Sequence, residues 1–502
     1  MIATGGDYHR HTSYERFALT GHELAWSDQP SVFKGYPTVR STTLSRQADL
    51  PKIRLSELID EAPSRGVTRI DFDALSGVLP LAYGITAQSK VPGGHFYYRS
   101  VPSAGALYPC ELYVASRSLP GLEDGLYHLS VRDQSLSQIR QGSVLGNGVR
   151  GARQGRGERE SPVLTFFVTA LFYRSSWKYR DRAYRYSLLD SGHLVENVVL
   201  SLRSFSIPCR VFYDFDDAVI NSLLSVDAER EVCLAIIQAG LRDSLPSSLE
   251  AEQNSALEHL VAASRVAVRE KTYSAIRQVH QASSRIRTTE RTIRGMLHHV
   301  GPFPASRIDL PRPAESSEQL DFADTVLKRR STRNFVPREL EKDRFDTLLA
   351  LVYGTSPSPG EPPGQDVIAP GFLAGRIQGA EPGCYWVDRA GASFGSTRTG
   401  LLLSDMARAC LDQAWMSHAA LHFFSVTNLE VLEDTWGPRG YRYAMLETGR
   451  LGQRVYLGAT ALGLGCCGIG AFYDSEAAAV LGLNDQSSML YLLAAGPVKK
   501  IF

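Results

Sequence analysis

The stretch YRYSLLDSGHLVENVVLSLRSF, Tyr184 to Phe205, returns without gaps 257 residues later as YRYAMLETGRLGQRVYLGATAL, Tyr441 to Leu462. A long ungapped repeat decides the architecture, because a unit encoded twice folds twice. Leu188, Leu189, Val195, Val198, Val199 and Leu202 fall at helical spacing in the first copy, as do Met445, Leu446, Val455 and Tyr456 in the second. The spacing predicts an amphipathic core helix in each half. Apolar, β-branched and aromatic runs of strand length precede both helices, VLTFFVTALF at 163–172 and HAALHFFSVTN at 418–428. Both copies close on an apolar run ending in glycine, VCLAIIQAG to Gly240 and MLYLLAAG to Gly496. These read as strands, so each half is expected to be α+β. The tripeptide FYD recurs at Phe212 and Phe472, 260 residues apart, which predicts three extra residues in the second copy between Cys466 and Phe472.

Outward from the repeat, residues 249–299 are poor in Gly and Pro and carry eight Lys or Arg against five Asp or Glu, which predicts a helical connector. The proline-rich PFPASRIDLPRPAES that follows reads as a linker. The expected organisation is an N-terminal arm at 1–55, a first domain at 56–242, connector and linker at 243–320 and a second domain at 321–502. A duplicated unit predicts an intramolecular pseudo-dimer with any active site between the halves. The 502 residues carry 54 Lys plus Arg against 53 Asp plus Glu, a formal charge of +1, which argues against nucleic acid as partner. No apolar stretch approaches membrane-span length and the N-terminus lacks a signal-peptide core, so a soluble, cytoplasmic protein without a membrane partner is expected. Seven cysteines without a CxxC pair read as reduced thiols, and no metal site is expected.

Three segments carry chemistry. KRRSTRNF, Lys328 to Phe335, groups arginine forks around a hydroxyl, a combination suited to a phosphate monoester; a solvated basic helix end is the other reading. RSVPSAGALYPCELYVA, Arg99 to Ala115, lets a planar ligand approach small residues closely, or is a plain turn entering a strand. GLGCCGIGAF, Gly463 to Phe472, follows a helix, so it is no GxGxxG dinucleotide fingerprint, yet its backbone is open to a ring system.

In combination RRSTRNF, PSAGALYP, RYAMLETG and GLGCCGIGAF resemble the nitroreductase-like flavoprotein superfamily, most closely the SagB-type azoline (thiazoline or oxazoline) dehydrogenases, over roughly 60–240 and 321–500. The resemblance implies two tandem α+β domains, each a central mixed sheet flanked by helices, with FMN at their interface. It assigns the FMN phosphate and ribityl chain to Arg329, Arg330, Ser331 and Arg333, helped by Lys499. It places Pro102, Ser103, Ala104, Gly105 and Leu107 against the isoalloxazine, and Gly468, Ile469 and Gly470 beside its N5 edge. Each half holds complementary pieces, so one FMN per chain is expected, with the second pocket degenerate.

SSWKYRDRAYRY at Ser175 to Tyr186 faces DTWGPRGYRY in the second half, so Lys178 and Tyr179 have no basic or phenolic counterpart there. In the family resembled, a Lys-Tyr pair at this place is implicated in catalysis, which nominates Lys178 and Tyr179. Taking the proton while FMN takes a hydride requires a base, and Arg180, Arg182 and Arg185 are expected to depress the lysine pKa; a cationic, solvated helix start is the competing reading. His193 reads as a hydrogen-bonded helix histidine, and Cys466 and Cys467 as packing residues. The implied activity is oxidation of azoline rings to azoles in a ribosomally made, modified peptide, with O2 reoxidising the flavin and a cyclodehydratase as candidate partner. An NAD(P)H-dependent nitro- or quinone reductase and a flavin-binding scaffold for a cyclodehydratase stay open, as does association into a homo-oligomer.

Overall fold

A computed structural model describes residues 2–45, 49–60, 70–91, 94–142, 160–243, 257–285, 293, 295–312, 320–354 and 364–499. The first half supplies strands β1 (Ser41–Thr43), β2 (Ile85–Val91), β3 (Gly94–Arg99), β4 (Cys110–Ser116), β5 (Gly125–Ser130), β6 (Ser135–Gln141), β7 (Glu160–Leu171), β8 (Cys209–Phe212) and β9 (Glu231–Asp243). The second supplies β10 (Ile308–Asp309), β11 (Ala369–Ala374), β12 (Gly383–Asp388), β13 (Ser393–Thr399), β14 (Leu421–Asn428), β15 (Gly465–Ile469) and β16 (Ser487–Gly496). They build two seven-stranded sheets of the same order, β1-β6-β5-β4-β7-β9-β8 and β10-β13-β12-β11-β14-β16-β15, while β2 and β3 form a separate hairpin. The duplication is therefore complete at the level of topology. Neighbouring strands within each sheet run antiparallel. The parallel component of a mixed sheet is confined, among the described residues, to isolated bridges such as Ser331 with Cys466.

Strand register corrects the expected insertion. Ala239 pairs with Leu164 and Cys209, and Ala495 pairs with Leu421 and Cys466, so the 257-residue offset persists through β8 and β15. Helices then start at Asp217 and Asp474 and close on left-handed Ser225 and Gly482. Phe212 ends β8, whereas Phe472 lies beyond the end of β15; the shared FYD is a coincidence of letters. Gly468–Gly470 consequently stands opposite Val211–Tyr213, not in an inserted loop.

The repeated segments form helices Ala183–Ser204 and Arg439–Ala461, and they are not half-exposed: every residue of the first and all but Thr460 of the second are buried. Their apolar faces pack on the sheets and their polar faces meet one another. They cross where a Cβ on Gly192 would lie 2.8 Å from the Gly449 Cα and 2.1 Å from the Leu446 oxygen; a Cβ on Gly449 would lie 2.3 Å from the Leu189 oxygen. Equivalent residues thus touch reciprocally, the signature of an isologous two-fold contact within one chain. Along the same face Glu196 accepts from Arg450 at 2.8 Å and Arg454 at 2.6 Å.

A second reciprocal contact ties each half to the other. Asp474 binds Arg182 at 2.7 Å and Arg185 at 2.8 Å, and Asp217 binds Arg439 at 2.9 Å and Arg442 at 2.6 Å. The N-terminal arm sits on this seam, with the Tyr8 ring edge-on to both Tyr184 and Tyr441. Of the expected connector, the described residues hold helix only at Glu258–Val261 and Ser274–Ser283, with short 3-10 turns at Ala262–Ser264 and Met296–His299. Residues 265–273 lie outside helix, and there Glu270 accepts from the Val266 and Ala267 amides and from Arg230. No helix among the described residues is long and apolar enough to cross a membrane, and none of their His, Cys, Asp and Glu clusters could hold a metal ion.

Candidate active site

The turn before β4 is driven into left-handed backbone at three places within four residues, Gly105 (φ 64°), Ala106 (φ 54°) and Tyr108 (φ 47°). Non-glycine residues pay for that conformation, and such strain collects where a chain must present groups to a ligand. The Ser103 hydroxyl holds the turn: it accepts from the Tyr108 amide at 2.9 Å and donates to Asp190 at 2.5 Å. Across the seam, β15 brings Gly468, Ile469 and Gly470 to the same place. Between them lies a cavity of about 770 Å³ including its mouth, lined by Pro102, Ser103, Ala104 and Gly105 from one half and Ser331, Arg333 and Gly468–Gly470 from the other.

The remaining sequence candidates divide. The Tyr179 side chain lines the cavity. A Cβ on Gly105 would lie 2.7 Å from the Tyr179 hydroxyl and 3.4 Å from Lys178 Nζ, so the lysine–tyrosine pair caps the turn. Burial pushes the Tyr179 phenol upward, keeping it protonated. Arg329 is buried behind the wall, donating to the Ser100 and Arg99 carbonyls at 2.9 Å each, with its second Nη lacking a hydrogen-bond partner. Arg330 turns to the β2–β3 hairpin, bonding Thr86 at 3.1 Å and stacking on Tyr98. Leu107 packs against Tyr173 and Trp177, away from the cavity. Lys499 is exposed and joined to the arginine segment through backbone bonds with Asn334.

Of the three arginines expected to act on Lys178, two are paired elsewhere. Arg182 and Arg185 are committed to the Asp474 carboxylate and Arg180 is exposed, so two of the three cations are neutralised. The halves also differ as an asymmetric site requires. Tyr213, which stands where the second half has Gly470, stacks with Tyr443 and donates to Glu447 at 2.9 Å; its side chain occupies the position symmetric to the cavity. Glu447 is the repeat counterpart of Asp190.

Sequence reading passed over Asp190, Tyr186, Tyr456 and Tyr491, all of which line the cavity. Asp190 interrupts the apolar spacing of its helix, and an acid recurs at Glu447; that pairing was its signal. Burial raises the Asp190 carboxyl to about 7, against the bonds from Ser103 and the Ala104 amide. The folded protein therefore holds a proton there that the unfolded chain releases above pH 3.8, and stability falls as pH rises from about 4 to 7. At about 1.4 kcal/mol per unit, Asp190→Asn should be stabilising by a few kcal/mol above pH 7 and near neutral at pH 4; denaturant melts at both pH values check this, and a pH-independent difference would refute it. His193 is neutral, pushed down to about 3 by burial. Burial holds the Cys466 thiol well above its usual range and raises that of Cys467, so neither is a ready thiolate.

The family model of the nitroreductase family matches residues 38–241 and again 326–496. The chain belongs to the nitroreductase family. The crystal structure of a nitroreductase-type protein from Anabaena variabilis superposes with a TM-score of 0.77 at 28% identity, over 99% of this chain and 100% of that one. Among curated relatives, a nitroreductase-named protein of Methanocaldococcus jannaschii is 29% identical over 34% of this chain and 90% of its own length. The trifolitoxin-processing protein TfxB of Rhizobium leguminosarum bv. trifolii is 30% identical over 27% of this chain and 37% of its own. The microcin B17-processing protein McbC of Escherichia coli is 28% identical, over 28% of this chain and 53% of its own. The chain thus carries the nitroreductase-family fold twice, and the relatives it matches include proteins named for processing a microcin and a trifolitoxin.

Proposed function

We propose that the chain is an FMN-dependent dehydrogenase that oxidises azoline rings to azoles in a ribosomally made, modified peptide. The observation that carries this is the placement of Lys178 Nζ and the Tyr179 hydroxyl over Gly105, at a cavity whose other wall is the glycine edge Gly468–Gly470. The residues fit a flavin. Gly105, Gly468 and Gly470 let the Tyr179, Tyr491 and Tyr186 side chains lie close against the backbone of the cavity, where a Cβ at each glycine would meet them within 2.7 Å. Ser331 and Arg333 line the cavity and supply donors for a phosphate and ribityl chain, with Lys499 adding charge at the exposed end.

Bound FMN would supply the hydride acceptor and pass the electrons to O2. The chain's own residues handle the proton and the geometry. The Lys178 amine takes the proton from the ring's α carbon, and the neutral Tyr179 hydroxyl orients the ring by hydrogen bonding. The strained turn holds both against the ring, and the filled symmetric position limits each chain to one site. The relatives named for microcin and trifolitoxin processing support a peptide substrate and a cyclodehydratase partner.

Mixing the purified chain with an azoline-bearing peptide under air should remove two hydrogens per ring by mass spectrometry, with one FMN released per chain on denaturation. An unchanged peptide mass, or two flavins per chain, would reject the reading. The relative named as a nitroreductase favours the alternative of an NAD(P)H-driven reductase, for which rapid bleaching of the flavin by NAD(P)H would be the sign.

A further inference from the structure

One hydrogen-bond chain runs from the backbone to the cavity wall, and its direction is fixed from the far end. Asn197 places its Nδ2 2.6 Å from the Leu81 carbonyl and 2.8 Å from the Ala82 carbonyl. Carbonyls only accept, so this amide must donate to both, and its oxygen faces the other way. That oxygen accepts from Gln453 Nε2 at 2.9 Å, which turns the Gln453 oxygen to His193 Nδ1 at 3.0 Å. Nδ1 therefore carries the imidazole proton, and Nε2, 3.3 Å from the Tyr491 hydroxyl, is an acceptor. The Tyr491 proton is thus spent on His193, and the hydroxyl offers the cavity lone pairs alone.

The chain exists on one side of the pseudo-dimer. Gly452 and Gly468 make room for it: a Cβ would lie 2.8 Å from the His193 ring and 1.8 Å from the Tyr491 oxygen. The equivalent positions in the other half are Val195 and Val211, His193 is matched by Arg450, and Tyr491 by Ala235. A purely structural bond would be expected in both halves; this one accompanies the open cavity.

We infer that Tyr491 is a positioning residue that selects a hydrogen-bond donor, accepting from the ring N–H of the bound flavin. Oxidised isoalloxazine has a single ring N–H, the imide N3–H, so the proposal commits to that group and rests on the FMN reading above. The tests use the full chain stripped of flavin and titrated with FMN and with its N3-methyl derivative, read by fluorescence quenching. Wild type should bind FMN about tenfold more tightly than Tyr491→Phe does, and should reject the N3-methyl derivative, whereas Tyr491→Phe should lose most of that discrimination. In the 15N spectrum of histidine-labelled protein His193 should show the Nδ1–H tautomer, opposite to that preferred by free histidine. Wild type that binds FMN but discriminates no more than Tyr491→Phe, or an Nε2–H tautomer, overturns the proposal while leaving the flavin reading intact. Failure of wild type to bind FMN at all overturns both.

Discussion

Lys178→Ala should lower the rate of azoline oxidation by about 10²- to 10⁴-fold, the range expected when a positioned general base is removed, while FMN stays bound. Lys178 and Tyr179 are the last two residues of the helix Phe172–Tyr179, which stops where Arg180 takes a positive φ of 50°. The Lys178 Nζ is left beside Gly105, while Arg182 and Arg185 are held by Asp474. A base defect appears in kcat more than in KM, so peptide affinity should change little. Lys178→Arg should not rescue, because a guanidinium keeps its proton at any working pH. Tyr179→Phe should cost less, since a phenol raised by burial serves as a donor and not as a base. Single-turnover flavin reduction by the azoline peptide separates these effects; unchanged reduction in Lys178→Ala would move the base elsewhere, with Asp190 the next candidate by distance from the same turn.

The repeat made the fold legible, because periodicity and strand-length runs are properties of local sequence and both halves display them. What it could not carry was alignment across glycine: FYD drew Phe212 onto Phe472, while ladder register placed Val211–Tyr213 opposite Gly468–Gly470. Helical spacing likewise marked the apolar faces of the long helices but not the fate of the polar ones, since burial of Glu196 against Arg450 and Arg454 depends on a partner 254 or more residues away. At the site, the motif residues Ser103, Gly105, Arg333 and Gly468 do converge, because close backbone approach is written in small residues. Arg329, Arg330 and Leu107 shared those motifs yet point elsewhere; motif membership says which segment reaches a cavity, and rotamers decide which side chains do. Tyr491 sat in an ordinary strand run and acquires meaning only through His193 across the seam. The pairing of Arg182 and Arg185 is out of local reach for the same reason, their partner Asp474 lying 289 or more residues distant.

Asp474→Ala should cost about 3–5 kcal/mol of stability, as expected when one partner of a buried ion pair is deleted and its mate left uncompensated. Here two mates are left: Arg182 and Arg185 have side chains only 1% and 2% exposed. The carboxylate also accepts from the Tyr14 amide at 2.8 Å, so the N-terminal arm loses an anchor at the same time. Asp217→Ala is the internal control. It removes the symmetry-related carboxylate from Arg439 and Arg442 and should lower the denaturant midpoint by a similar amount. The two variants should part at the cofactor. Arg182 also donates to the Gly470 carbonyl at 3.1 Å, so releasing it disturbs the glycine wall of the cavity, whereas Arg439 leans on Tyr213, which fills the opposite position. Asp474→Ala should therefore weaken FMN binding under conditions where it is still folded, and Asp217→Ala should not. Equal loss of flavin in both would mean that the seam acts on the cavity as a whole and not through Gly470.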